Sequence, residues 1–197
     1  SGGIIIFFFN QAILRFISED ALVSYTIISY VNTIVVMSMT GIAQGSQPLI
    51  SYYFGKGEPK KYRKLLKYGI LSAAVFSVVV TAACYTGASG IVGIFLDGEN
   101  PALSVYSVKV FRIFILSFLL AGYNVVIGGY FASIEKAGFA TFISLTRSLI
   151  ALVGCMMLLI AVLGGEGIWW SPLMAEAVCL VFSLLMLKRS FAKQRKN

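Results

Sequence analysis

Three charged side chains stand where charge is hardest to keep: Arg112, Arg147 and Glu176 each fall inside a long apolar run of this 197-residue sequence. At about 1.5 Å of helix per residue, Arg147 lies roughly 15 Å from one end of its run, Glu176 roughly 12 Å from one end of its own, and Arg112 at a similar depth. A charge in hydrocarbon costs a few kcal/mol or more, so each needs a partner or a task. A carboxylate left alone at such depth tends to take up a proton. The placement therefore predicts that Glu176 pairs with Arg147 or Arg112 inside a helix bundle. Such a pair either locks helices together or takes part in proton coupling or substrate gating, and the residues alone leave both open. Arg15 and Lys109 lie nearer the ends of their runs, where a long side chain snorkels to the interface.

Uncharged polar residues fall in the same runs: Asn10, Gln11, Asn32, Gln44, Gln47 and Asn124. In lipid these groups turn inward, toward hydrogen-bonding partners or a wet cavity. Asn10, Asn32 and Asn124 belong to three different runs, and they either line one cavity or act as ordinary glue between helices. Gly41-Ile42-Ala43-Gln44-Gly45 is a small-xxx-small pattern that permits close helix approach. Pro48, three residues on, removes a backbone donor, so Gly41, Gly45 and Pro48 together predict a bend or break.

Other chemistry is missing. The sequence contains no histidine, the commonest general base and metal ligand. Cys84, Cys155 and Cys179 sit in apolar segments at unrelated spacing and read as inert buried thiols. No HExxH, no GxSxG, no paired intramembrane aspartates and no GxxxxGK[ST] occur, and Gly55-Lys56-Gly57 is a turn with a basic end. An enzyme, an ATP-driven pump, a metal site and a bound cofactor are therefore not expected. The net charge of +8 raises nucleic acid as a partner, yet the basic residues form short blocks between apolar runs with no aromatic platform beside them. Those blocks mark loops.

The elements that must hold these residues follow from composition. The chain is 58% hydrophobic and 12% charged, with a mean hydropathy of +0.88, whereas a soluble domain carries about 25% charge. Six apolar segments are predicted, at 4–17, 21–54, 68–96, 104–133, 138–163 and 168–187, several of them exceeding the roughly 20 residues that cross a bilayer. The expectation is an all-α, polytopic six-helix bundle with short connections and antiparallel neighbours. Cytoplasmic loops hold the excess of Lys and Arg. The stretch 56–67, Lys136 and the tail at 188–197 together hold 12 of the 16 basic residues. The alternate connections carry Glu19 and Asp20, Asp97 and Glu99, and Glu166, with no Lys or Arg. This alternation predicts an inner-membrane protein with a cytoplasmic C-terminus. Ser1-Gly2-Gly3 leads straight into the apolar run 4–9 with no basic residue before it, which reads as a chain cut from a longer one and not as a signal peptide.

The run Gly41-Ile42-Ala43-Gln44-Gly45-Ser46-Gln47-Pro48-Leu49-Ile50-Ser51-Tyr52-Tyr53-Phe54-Gly55 resembles the eighth-helix signature of multidrug and toxic compound extrusion (MATE) transporters. It departs at Tyr53-Phe54, near which the family often has asparagine. Gly167-Ile168-Trp169-Trp170-Ser171-Pro172 with Ala175-Glu176 is similar to the family's twelfth helix, and the run 4–9 with Asn10 to part of its seventh. The resemblance implies that residues 1–197 form the C-terminal lobe of a twelve-helix transporter. The first helix would be truncated and the N-terminal six-helix lobe would be the missing partner. It further implies alternating-access export of amphipathic or cationic organic compounds in exchange for H+ or Na+. The piece alone is expected to be inactive. Other members carry carboxylates in the seventh and tenth helices, whereas the tenth-helix stretch here, Leu119-Leu120-Ala121-Gly122-Tyr123-Asn124, has none. A lipid-linked oligosaccharide flippase of the same architecture is the alternative.

Overall fold

The computed structural model describes residues 2–96 and 100–194 and contains no strand among them. Among the described residues nine helices follow in order: α1 (Gly2–Phe16), α2 (Asp20–Gly55), α3 (Pro59–Thr86), α4 (Ala88–Phe95), α5 (Pro101–Ile115), α6 (Phe118–Ser133), α7 (Ala137–Leu145), α8 (Ala151–Leu163) and α9 (Gly167–Gln194). A π-helical turn, Thr146–Ile150, joins α7 to α8, and a 3-10 turn, Gly164–Glu166, joins α8 to α9.

Lipid accounts for this uniformity, because a segment inside hydrocarbon must satisfy its backbone groups internally. Hydroxyls follow the same rule: Thr26, Thr33, Ser38 and Thr40 each donate to the carbonyl four residues back. Helix starts are marked locally. Pro59 and Pro101 open α3 and α5, where a missing N–H leaves nothing unpaired. The Asn100 side chain accepts from the Leu103 N–H at 3.0 Å and caps α5.

Four stretches are long and apolar enough to cross a membrane: Asp20–Gly55, Pro59–Thr86, Pro101–Ser133 and Ala151–Ala192. Large apolar side chains face outward, with Ile94 78%, Val105 73% and Val162 72% exposed. Water does not tolerate that density of exposed hydrocarbon, and lipid does. The chain is a multi-pass membrane protein.

Side-chain contacts set the direction of each rod. Phe9 of α1 stacks on Tyr25 of α2 across their short connection. Between α3 and α5–α6, Tyr85 meets Arg112 and Tyr62 meets Tyr130, so these rods are antiparallel. Ser24 bonds Ser107 at 2.7 Å and Ser51 donates to the Ser133 carbonyl at 3.1 Å, so α2 and α5–α6 run parallel. Arg147 with Glu176, Cys179 with the Ile143 carbonyl and Lys136 with Ser190 fold α7–α8 back along α9. The loops 56–58 and 134–136 therefore gather at the end where α9 finishes. The residues 17–19 and the turn Gly164–Glu166 meet at the other.

Several boundaries differ from the apolar pattern. The third run starts at Pro59 and is interrupted at Gly87, giving α3 and α4. The fourth is interrupted at Leu116 and Ser117, giving α5 and α6. α9 continues to Gln194, so Lys188 and Arg189 extend the helix and do not begin a separate tail. That stretch is built of good helix formers, and a water-facing helix end needs no apolar face to continue. Asp97, Glu99, Arg195 and Lys196 lie outside the described residues.

Of the bend or break expected at Gly41, Gly45 and Pro48, the break does not occur. α2 is one continuous helix from Asp20 to Gly55, with Pro48 inside it. Gly41, Gln44, Gly45 and Pro48 are all exposed along one helical stripe, where a single lost backbone bond does not interrupt the ladder. A Cβ added to Gly41 or Gly45 would meet nothing within 4 Å, so neither glycine serves close packing inside this chain.

Candidate functional site

The polar centre of the bundle is assembled on Glu176, which is 9% exposed in α9. Pro172, four residues earlier, cannot donate to the Ile168 carbonyl, and the Ser171 hydroxyl supplies that bond at 2.7 Å. The helix thus passes its own proline intact and presents Glu176 to its neighbours. Oε1 of Glu176 accepts from Arg147 Nε at 2.7 Å, and Oε2 accepts from Asn124 Nδ2 at 2.7 Å. The same amide nitrogen reaches the Glu176 carbonyl at 3.0 Å, and Ser183 Oγ donates to Asn124 Oδ1 at 3.1 Å. Three elements therefore converge: α6, α9 and the π-helical turn.

That turn carries Arg147 as its second residue. A π turn inserts one residue into the helical ladder, swings the side chains that follow, and recurs at functional positions. The hydroxyl of Thr146, at its start, is buried without a hydrogen-bond partner. A π turn and an unsatisfied donor thus sit beside the buried ion pair.

The pair forms part of the wall of a cavity of about 390 Å³, within the range of small-molecule sites. Its remaining wall includes Asn32 and Thr33 of α2, and Phe9, Tyr25 and Phe114. Phe9 and Tyr25 stack with centroids 4.7 Å apart, and Phe114 lies 6.3 Å from Phe9. Phe9, Tyr25 and Phe114 are 1%, 5% and 6% exposed, so they close the wall as packed core side chains, and the polar lining is that of Asn32, Thr33, Arg147 and Glu176. Among the described residues no group of three or more His, Cys, Asp or Glu is placed to hold a metal ion.

The polar residues singled out by sequence divide sharply. Asn32 lines the cavity, and Asn124 sits behind Glu176 as its hydrogen-bond donor. Asn10 is half-buried but outside the cavity wall, while Gln11 and Gln44 are exposed. Gln47 packs against Gly129, its Nε2 only 3.0 Å from where a Cβ would stand. These four do not join the site, because their helix faces turn away from it. Arg112 is also elsewhere: its Nε donates to the Tyr85 carbonyl at 3.3 Å, on the far side of α5. Lys109 pairs with Glu166, and Arg15 lies over the Phe16 ring. All three cysteines are free. Sequence reading missed Phe9, Tyr25 and Phe114, since an aromatic in an apolar run gives no signal of whether it faces a cavity or a core.

Apolar rods of alternating direction around a cavity with a buried carboxylate–guanidinium pair make this a polytopic helical-bundle membrane protein. The chain belongs to the MatE family, whose sequence model matches residues 3–157. Multidrug export protein MepA of Staphylococcus aureus (strain NCTC 8325 / PS 47) is 27% identical over 149 residues, 75% of this chain and 32% of that protein. Its counterpart in Staphylococcus saprophyticus is 22% identical over 147 residues, with the same coverage of 75% and 32%. The match thus spans about a third of the length of these relatives. Among solved structures, the outward-facing conformation of a multidrug resistance MATE family transporter of the MOP superfamily aligns with a TM-score of 0.91 at 17% identity, over 99% of this chain and 44% of that one. An inward-facing conformation aligns with a TM-score of 0.92 at 17% identity, over 98% and 45%. At that identity the likeness concerns the fold.

Proposed function

We propose that residues 1–197 form one lobe of a secondary antiporter that exports amphipathic or cationic organic compounds in exchange for H+ or Na+, and that the lobe alone is inactive. The observation that carries this reading is the aromatic-walled cavity ending on the Glu176–Arg147 pair. An entering cation competes with Arg147 for the carboxylate, and the π turn gives Arg147 somewhere to go. The names of the relatives, multidrug export proteins, agree with that ligand class. Alternating access by rocking of whole lobes is supported by the near-equal match to outward- and inward-facing structures, at TM-scores of 0.91 and 0.92. The exposed stripe Gly41, Gln44, Gly45 and Pro48 on α2 is a face for the second lobe. The flippase alternative gains no support from this cavity, whose one lining arginine already has a carboxylate partner.

The test is export of a cationic dye by energised vesicles containing the complete protein. Collapse of the proton gradient or of the sodium gradient should stop export by about tenfold or more, and export indifferent to both would remove antiport. We further propose six passes in the plasma membrane with a cytoplasmic C-terminus, since the loops 56–58 and 134–136 share the C-terminal end of the bundle. In whole cells, Glu19→Cys should label with an impermeant maleimide and Lys60→Cys should not. Labelling of both from the same side would sink that topology.

A further inference from the structure

Arg112 is left without the carboxylate that its position calls for. It is half-buried in an apolar helix, its Nε is taken by the Tyr85 carbonyl at 3.3 Å, and its guanidinium lies 5.0 Å from the Tyr85 ring centroid. The ion pairs found among the described residues are Lys61–Glu58, Lys109–Glu166 and Arg147–Glu176, and none involves Arg112. Arg147, the arginine inside the bundle, is paired. Arg112 faces a groove of about 630 Å³ between the end of α3, α4 and α5.

The groove shares no lining residue with the central cavity. The hydroxyl-bearing residues Ser89 and Ser104 line it, together with Val92, Val105, Val108 and Ile113. Val105 is 73% exposed and the neighbouring Ile94 78%, so the groove opens toward lipid. It lies near the end of the bundle opposite the basic loops, beside the Lys109–Glu166 pair that joins α5 to the Gly164–Glu166 turn. A guanidinium in such a place is costly unless an anion meets it. With Nε committed to Tyr85, its two terminal nitrogens remain as a planar fork, and that fork matches two phosphate oxygens. Lys109 is neutralised by Glu166, so among the described residues the groove lining keeps one uncompensated positive charge, that of Arg112. Among the described residues that line it there is no carboxylate to receive the quaternary amine of a zwitterionic headgroup.

We propose that this groove binds the headgroup phosphate of an anionic phospholipid of the phosphatidylglycerol type. Arg112 grips the phosphate, and Val92, Val105, Val108 and Ile113 form the rail for an acyl chain. The inference needs the membrane setting but not the efflux reading, so it stands or fails separately.

The test is native mass spectrometry of the complete protein released from mixed micelles of phosphatidylglycerol and phosphatidylcholine. Wild-type protein should retain phosphatidylglycerol in preference, and Arg112→Ala should lower that retention by about tenfold or more, as expected for loss of a charge-assisted bidentate contact. Arg112→Lys should keep part of it, and Lys60→Ala, exposed at the opposite end of the bundle, nearly all. Should Arg112→Ala not fold, Val105→Trp fills the acyl rail with Arg112 untouched and should lower retention too. Equal retention of both lipids by wild type, or undiminished retention in the folded Arg112 and Val105 variants, would overturn the proposal. So would displacement of the lipid by glycerol phosphate alone, which would point to a site for a free phosphate.

Discussion

Glu176→Leu should destabilise the complete protein by about 3 kcal/mol, because it strands Arg147 in the bundle without its carboxylate. The lower part of the range for a broken buried pair applies, since the Arg147 side chain keeps 22% exposure and borders a cavity that can admit water. Adding Arg147→Met should recover most of the loss, since apolar groups of similar volume often replace a buried pair without penalty. Failure of that rescue would mean that Arg147 does not depend on Glu176. The folded double variant then separates the two roles of the pair. If the carboxylate receives the transported cation, dye export stays about tenfold or more below wild type although stability has returned. If the pair is only a lock, export returns with stability. Glu176→Gln refines the result. Its amide offers one acceptor where Arg147 and Asn124 present two donors, so it should impair export with a smaller loss of stability.

Gly167→Ala should cost about 3 kcal/mol or more, the upper end for overpacking, although it adds a single methyl group. A Cβ there would stand 2.3 Å from the Leu159 carbonyl oxygen and 2.8 Å from the Ile160 nitrogen, both of them backbone atoms that no rotamer change can move. The tightness comes from the turn itself, where Gly164 adopts φ +62° and α9 starts directly against the end of α8. Prising the hairpin open also displaces Glu176 further along α9. Faster proteolysis between α8 and α9 and reduced export should therefore appear together. Gly154→Ala, in open space on α8, should leave both unchanged. Equal behaviour of the two variants would show that the hairpin tolerates the shift.

Much of this was legible in the sequence, for physical reasons. Apolar runs longer than a bilayer is thick, punctuated by basic and acidic turns, dictate helices and a lipid solvent whatever their packing. The motif from Gly41 to Gly55 points to the family by its residues alone. Burial of a charge is so unfavourable that Glu176 was marked as a residue needing a partner by its position alone.

What the sequence left open was which faces meet. Arg112 and Arg147 looked equivalent as partners for Glu176, because depth along a helix says nothing about rotation around it. Only the packed bundle, with a π turn that no composition announces, brings Arg147 to 2.7 Å from the carboxylate and leaves Arg112 on Tyr85. Likewise Asn10, Gln11, Gln44 and Gln47 are as polar as Asn32, yet only Asn32 faces the cavity. Its wall is completed by Phe9, Tyr25 and Phe114, residues whose chemistry is identical whether they fill a core or line a site. The sequence alone determined that helices form, where they lie and which charges demand compensation, since those are properties of single segments in lipid. The tertiary structure decided who compensates whom, because that depends on the rotation and register of helices fixed by contacts far apart in the chain.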